Sequence, residues 1–103
     1  MMNEKLVLPK KPSCRLDGQC ALVTGASRGI GLGLATALAE AGAEVTFSSR
    51  SGRELNSVVD MICSRGQKAH ALVLDVTDTK KVASEIKNRG PFQILVNNAG
   101  TNI

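Results

Sequence analysis

The chain has 103 residues, a net charge of +4 and 43% apolar residues, which suits one small domain with a packed core and argues against disorder. No apolar run approaches the roughly eighteen residues needed to cross a membrane, and Leu6–Leu8 before Pro9 is too short for a signal-peptide core, so a cytoplasmic protein with no membrane partner is expected. Lys5, Lys10, Lys11 and Arg15 cluster in the tail, and Phe47 and Phe92 are the only aromatic residues; a basic stripe with interleaved rings is absent, so no nucleic-acid partner is expected. Cys14, Cys20 and Cys63 are odd in number and lack a paired short spacing, which speaks against a disulfide framework and against a metal site. His70 is the single histidine and is assigned no role.

Residues 1–17 read as a tail, and 18–103 as one domain. Cys20-Ala21-Leu22-Val23 is a short apolar run ending at Thr24-Gly25, the pattern of a buried parallel strand. Leu34, Ala35, Leu38 and Ala39 predict a helix closed by Gly42, and Val45-Thr46-Phe47 a second strand. Ser51-Gly52-Arg53-Glu54 reads as a capping box opening a helix whose apolar face is Leu55, Val58, Val59, Ile62 and Cys63; Gly66 ends it. Ala69–Leu74 predicts the third strand. Thr77 is then expected to cap a helix with Asp78 in its first turn and Val82, Ala83 and Ile86 on its apolar face. Gly90-Pro91 stops that helix, and Phe92–Val96 predicts a fourth strand. The order βαβαβαβ with short links implies right-handed crossovers and a parallel sheet.

Between the first strand and the first helix lies Thr24-Gly25-Ala26-Ser27-Arg28-Gly29-Ile30-Gly31. One glycine permits a sharp turn, one lets a pyrophosphate approach the backbone, and one lets helix and strand pack closely. Amides at the helix start then face an anion, with the dipole behind them. Arg28 at that helix start opposes the dipole by about 0.3–1 kcal/mol, which makes sense where an anion binds. Arg50 follows the second strand in Phe47-Ser48-Ser49-Arg50, a stretch with no carboxylate. In dinucleotide folds an acid there selects NAD and an arginine accommodates the 2′-phosphate of NADP, so NADP is the expected cofactor and NAD the lesser one.

With these motifs the chain resembles the short-chain dehydrogenase/reductase family in its classical branch. The spacing of Gly25, Gly29 and Gly31 is that branch's; Leu74-Asp75-Val76 closing the third strand and Asn97-Asn98-Ala99-Gly100 closing the fourth are two further motifs of it. The resemblance spans residues 18–103 and implies a Rossmann-type, doubly wound parallel α/β sheet, of which this is the N-terminal half. It implies that Gly25, Ser27, Arg28, Gly29, Ile30 and Gly31 line the cofactor phosphates, and that Ser49 and Arg50 meet the adenosine ribose. Asp75 and Val76 would meet the adenine; Asn97 and Asn98 would stabilise the sheet end, with Asn98, Ala99 and Gly100 near the ribose and nicotinamide. The implied activity is hydride transfer between NADP(H) and a carbonyl or alcohol. The candidate substrates are a 3-oxoacyl group on its carrier or a sugar or polyol, as in gluconate 5-dehydrogenase-like members. Complete members are expected to be homo-oligomers.

The family's reaction uses a tyrosine with a lysine four residues on, and a serine at the substrate carbonyl. These 103 residues contain no tyrosine, so no catalytic residue is assigned and the chain alone is expected to be inactive. It reads as a fragment, with a fourth strand that is an open edge, apolar on both faces, and so poorly soluble alone. The alternative is a truncated, non-catalytic module that binds NADP or a partner protein. A methyltransferase is disfavoured because such sites usually end the second strand on an acid, where Ser49-Arg50 stands here. Extended epimerase-type relatives space the first two glycines differently.

Overall fold

Apolar side chains alternate along the strands, so each strand gives one set of side chains to each face of the sheet. The structure, a computed structural model, describes residues 15–98. Its elements are β1 (Cys20–Val23), α1 (Gly29–Glu40), β2 (Glu44–Ser49), α2 (Gly52–Ser64), β3 (Ala69–Val73), α3 (Thr79–Arg89) and β4 (Ile94–Val96). The strands form one parallel sheet in the order β3-β2-β1-β4. The chain steps outward from β1 to β3, then returns to place β4 on the other side of β1. That reversal is the topological switch of a doubly wound Rossmann-type sheet, and its crevice opens at the carboxyl ends of the strands.

The two faces are packed differently. Ala21, Val23, Val45, Phe47 and Ala69 meet Ala35 and Ala39 of α1 and Leu55, Val59 and Ile62 of α2 in one core. On the opposite face Leu22, Leu72 and Leu74 form a smaller cluster against the partly buried Val82, Ile86 and Phe92. Phe47 is the largest fully buried side chain, and burying a ring of that size contributes about 1.5–3 kcal/mol.

Several local expectations need correction. α1 buries Gly31, Ala35 and Ala39, whereas Leu34 is 43% exposed. Close approach of helix to sheet at the glycine turn favours the small residues and turns the leucine outward. β2 runs from Glu44 to Ser49, longer than Val45–Phe47, and so carries Ser48 and Ser49 into the sheet. On α2 the buried residues are Leu55, Val59 and Ile62, while Cys63 is exposed with its thiol 3.4 Å from the Ala69 carbonyl oxygen. β3 ends at Val73, although the Leu74 amide still bonds the Ser49 carbonyl at 2.9 Å.

The caps differ too. Ser51 occupies the N-cap of α2 but its side chain caps nothing. Its amide donates to Ser49 Oγ at 3.2 Å, so the expected return bond from Glu54 does not form. The cap of α3 is Asp78, which accepts from the Lys81 amide at 3.2 Å, and not Thr77. No α3 residue is buried, Ala83 included, because the single helix only half covers its face. β4 begins at Ile94 rather than Phe92, though Gln93 extends its pairing: its amide bonds the Cys20 carbonyl at 2.9 Å, and its Oε1 accepts the Cys20 amide at 2.7 Å. Among the described residues no helix is long and apolar enough to cross a membrane.

Candidate functional site

The carboxyl ends of β1, β2 and β3 surround a cleft of about 590 Å3 lined by Gly25, Ser27, Arg28, Ser49, Arg50, Asp75 and Val76, with Ser48, Ser51, Leu74 and Thr77. Its volume falls in the range of about 300–1,000 Å3 common for small-molecule sites. Its first wall is the turn between β1 and α1. Gly25 and Gly29 both have φ of +62°, a left-handed conformation that glycine adopts without strain. A Cβ added at Gly31 would overlap the Gly25 carbonyl oxygen and the Asn98 amide nitrogen. The third glycine is therefore a packing contact between helix start, turn and β4 end.

The start of α1 is electrostatically bare. Its N-cap residue is Arg28, in extended conformation with no side-chain cap, and the first turn holds no acid. The leading amides of a helix left in that state are an anion-binding arrangement. Ile30 is not among the residues that line the cleft and is 75% exposed.

The second wall is the end of β2. Ser49 Oγ donates to Ser27 Oγ at 3.1 Å, which ties the strand end to the glycine turn. Ser48 is fully buried, and among the described residues its hydroxyl has no hydrogen-bond partner. A buried hydroxyl bordering a cleft and left unsatisfied is a group a ligand can complete. Arg50 is exposed on the rim. Arg28 pairs with Glu54 of α2, Nη2 to Oε1 at 3.3 Å.

The third wall follows β3. Asp75 Oδ1 accepts from the Thr77 hydroxyl at 2.7 Å and from the Thr77 amide at 2.9 Å. Those two bonds hold its carboxyl below the usual carboxylate range, with a further contribution from the charge of Arg50. Thr77 thus orders the loop after β3 where a helix cap was expected.

Asn97 and Asn98 lie at the β4 end, beside the turn rather than in the cleft. Thr24 Oγ1 accepts the Asn98 amide at 2.9 Å and lies 3.1 Å from Asn97 Oδ1, and Asn98 Nδ2 donates to the Gly25 carbonyl at 3.3 Å. Ala99 and Gly100 lie outside the described residues. The expected cofactor residues are therefore gathered on one crevice, with Gly29, Gly31, Ile30 and Asn98 behind or beside its lining. Ser48, Ser51, Leu74 and Thr77, which are not among the expected cofactor residues, also line it. Ser48 could have been found by running β2 one residue further, since alternation would then bury it beside Thr46.

Comparison with known proteins agrees with this architecture. A family model described as short chain dehydrogenase matches residues 19–103. Gluconate 5-dehydrogenase of Gluconobacter oxydans (strain 621H) is 47% identical over 89 residues, spanning 82% of this chain and 35% of that protein. A 3-oxoacyl-(acyl-carrier-protein) reductase from Agrobacterium tumefaciens C58, solved with NADP bound, is 34% identical with a TM-score of 0.78, covering 87% of this chain and 36% of that one. A 7α-hydroxysteroid dehydrogenase complexed with NADH and 7-oxo glycochenodeoxycholic acid is 39% identical with a TM-score of 0.83, covering 91% of this chain and 38% of that one. The chain spans little more than a third of the length of these relatives. With its glycine turn, its strand order and its match over residues 19–103, the chain belongs to the short-chain dehydrogenase family of oxidoreductases.

Proposed function

We propose that the cleft binds the adenosine end of NADP(H), and that the protein to which this chain belongs transfers hydride between NADP(H) and a carbonyl or alcohol. The observation that carries the cofactor assignment is the pairing of Arg28 and Arg50 on one cleft, with no carboxylate at the end of β2. The donor set fits a phosphorylated ribose. Two guanidiniums supply charge-assisted bonds, the Ser27 and Ser49 hydroxyls sit together between the walls, and the bare start of α1 offers amides for the pyrophosphate. The orphaned Ser48 hydroxyl adds an unmet demand for a partner at the same place. When bound, the nicotinamide would supply the hydride; the residues described here hold and orient the other end of the molecule. Similar proteins of known structure carry NADP in several cases and NADH in another, so the choice of cofactor rests on this chain's own arginines.

The substrate class proposed is a 3-oxoacyl group on its carrier or a sugar or polyol, in line with the relatives named above. Residues 1–103 contain no tyrosine, so by themselves they are expected not to turn over such substrates by tyrosine proton transfer. Binding needs no such residue, because the cleft lining falls between Gly25 and Thr77.

Titration of the chain with NADPH and NADH, followed by nicotinamide fluorescence, tests the assignment. NADPH is expected to bind at least tenfold more tightly, from the roughly 1.5–3 kcal/mol of a charge-assisted bond. Arg50→Met should remove most of that difference. Equal affinities would overturn the NADP assignment, and no binding of either would overturn the site.

A further inference from the structure

Glu54 was expected to close a capping box on Ser51, and the structure shows why it does not. The Ser51 amide is already taken by Ser49 Oγ at 3.2 Å. The Glu54 carboxylate, in the first turn of α2, instead reaches across to Arg28 at 3.3 Å. The two cleft arginines therefore differ. Asp75, the acid near Arg50, is held by Thr77 through hydroxyl and amide. Among the described residues Arg50 has no hydrogen-bond or ion-pair partner, whereas Arg28 is engaged by Glu54.

We propose that Glu54 is a specificity-determining residue: it competes with the 2′-phosphate of NADP(H) for Arg28 and so narrows the preference for NADP over NAD. The inference rests on the cofactor reading above. A ligand with a 2′-phosphate must draw Arg28 from Glu54, while a ligand without one leaves the pair intact. Arg50 is then the standing phosphate ligand and Arg28 the contested one. Both partners are substantially exposed, Arg28 at 80% and Glu54 at 47%. Water screens such a pair, so its effect on an equilibrium is a few-fold at most.

The test is titration calorimetry of the full chain with adenosine 2′,5′-bisphosphate and with AMP. In Glu54→Gln the bisphosphate is expected to bind about two- to fivefold more tightly, the range of an exposed ion pair, with AMP unchanged. In an Arg28→Met background the same substitution should have no effect. Unchanged or weaker bisphosphate binding in Glu54→Gln overturns the proposal, as does equal tightening of AMP or tightening that persists without Arg28. If the unsubstituted chain binds the bisphosphate no better than AMP, the cofactor reading fails first and this inference with it. Circular dichroism of each variant shows that the fold is retained.

Discussion

The two faces of the sheet show different degrees of completion. Under α1 and α2, alanines, valines and Phe47 make a continuous core in which most members are fully buried. Under α3, three leucines are buried, but no residue of the helix itself is. On that same face β2 contributes Thr46 and Ser48, both buried and polar. At the β4 edge Leu95 is 59% exposed, while its neighbours Ile94 and Val96 pack toward the first core. The contrast teaches where the cleft draws its rigidity. The glycine turn and the ends of β1 and β2 are anchored to the finished face, so the groups proposed to meet the cofactor phosphates have a firm support that the α3 side lacks.

Mutations that probe the two faces should separate in that order. Phe47→Ala removes a fully buried ring from the finished core and should cost about 3–5 kcal/mol, enough to unfold a domain of this size in urea titrations. Gly31→Ala forces a methyl against Gly25 and Asn98, with an expected loss of about 1–3 kcal/mol and a weakened NADPH titration, because the turn must shift. Ile86→Ala on the half-covered face should cost only about 1 kcal/mol in the same unfolding experiment, well below a fully buried isoleucine. A cost equal to that of Phe47→Ala would erase the distinction between the faces. Leu95→Lys should change stability by less than about 0.5 kcal/mol while reducing association in light scattering, since it places a charge on an open apolar edge. An unchanged scattering signal would mean that this edge is not where copies meet.

Much of this was legible in the sequence because it is local. The strand runs and the glycine triplet are short-range patterns whose chemistry works the same way wherever they occur. The gathering of Arg28, Ser49, Arg50 and Asp75 was legible for a related reason: in a parallel sheet the ends of consecutive strands come to one edge. In the misreadings a contact outside the expected motif took the place of the expected one. Ser51 and Glu54 have the spacing of a capping box, but the register of β2 sets Ser49 Oγ against both Ser27 and the Ser51 amide. That contact releases Glu54 to Arg28, and no inspection of residues 51–54 alone reveals it. Thr77 looks like a cap until Asp75 takes its amide and hydroxyl. Leu34 looks like core until Gly31 brings α1 so near the sheet that alanines fit best.

The proposed seat of the adenosine end of NADP(H) is the cleft between the glycine turn and the ends of β2 and β3. The most direct test is an amide-proton and nitrogen NMR titration of the chain with NADP. Shifts are expected to concentrate at Gly25–Gly31, Ser49–Ser51 and Asp75–Thr77, with Ile62–Gly66 at the far end of α2 unmoved. Shifts centred elsewhere, or none at saturating NADP, would contradict it.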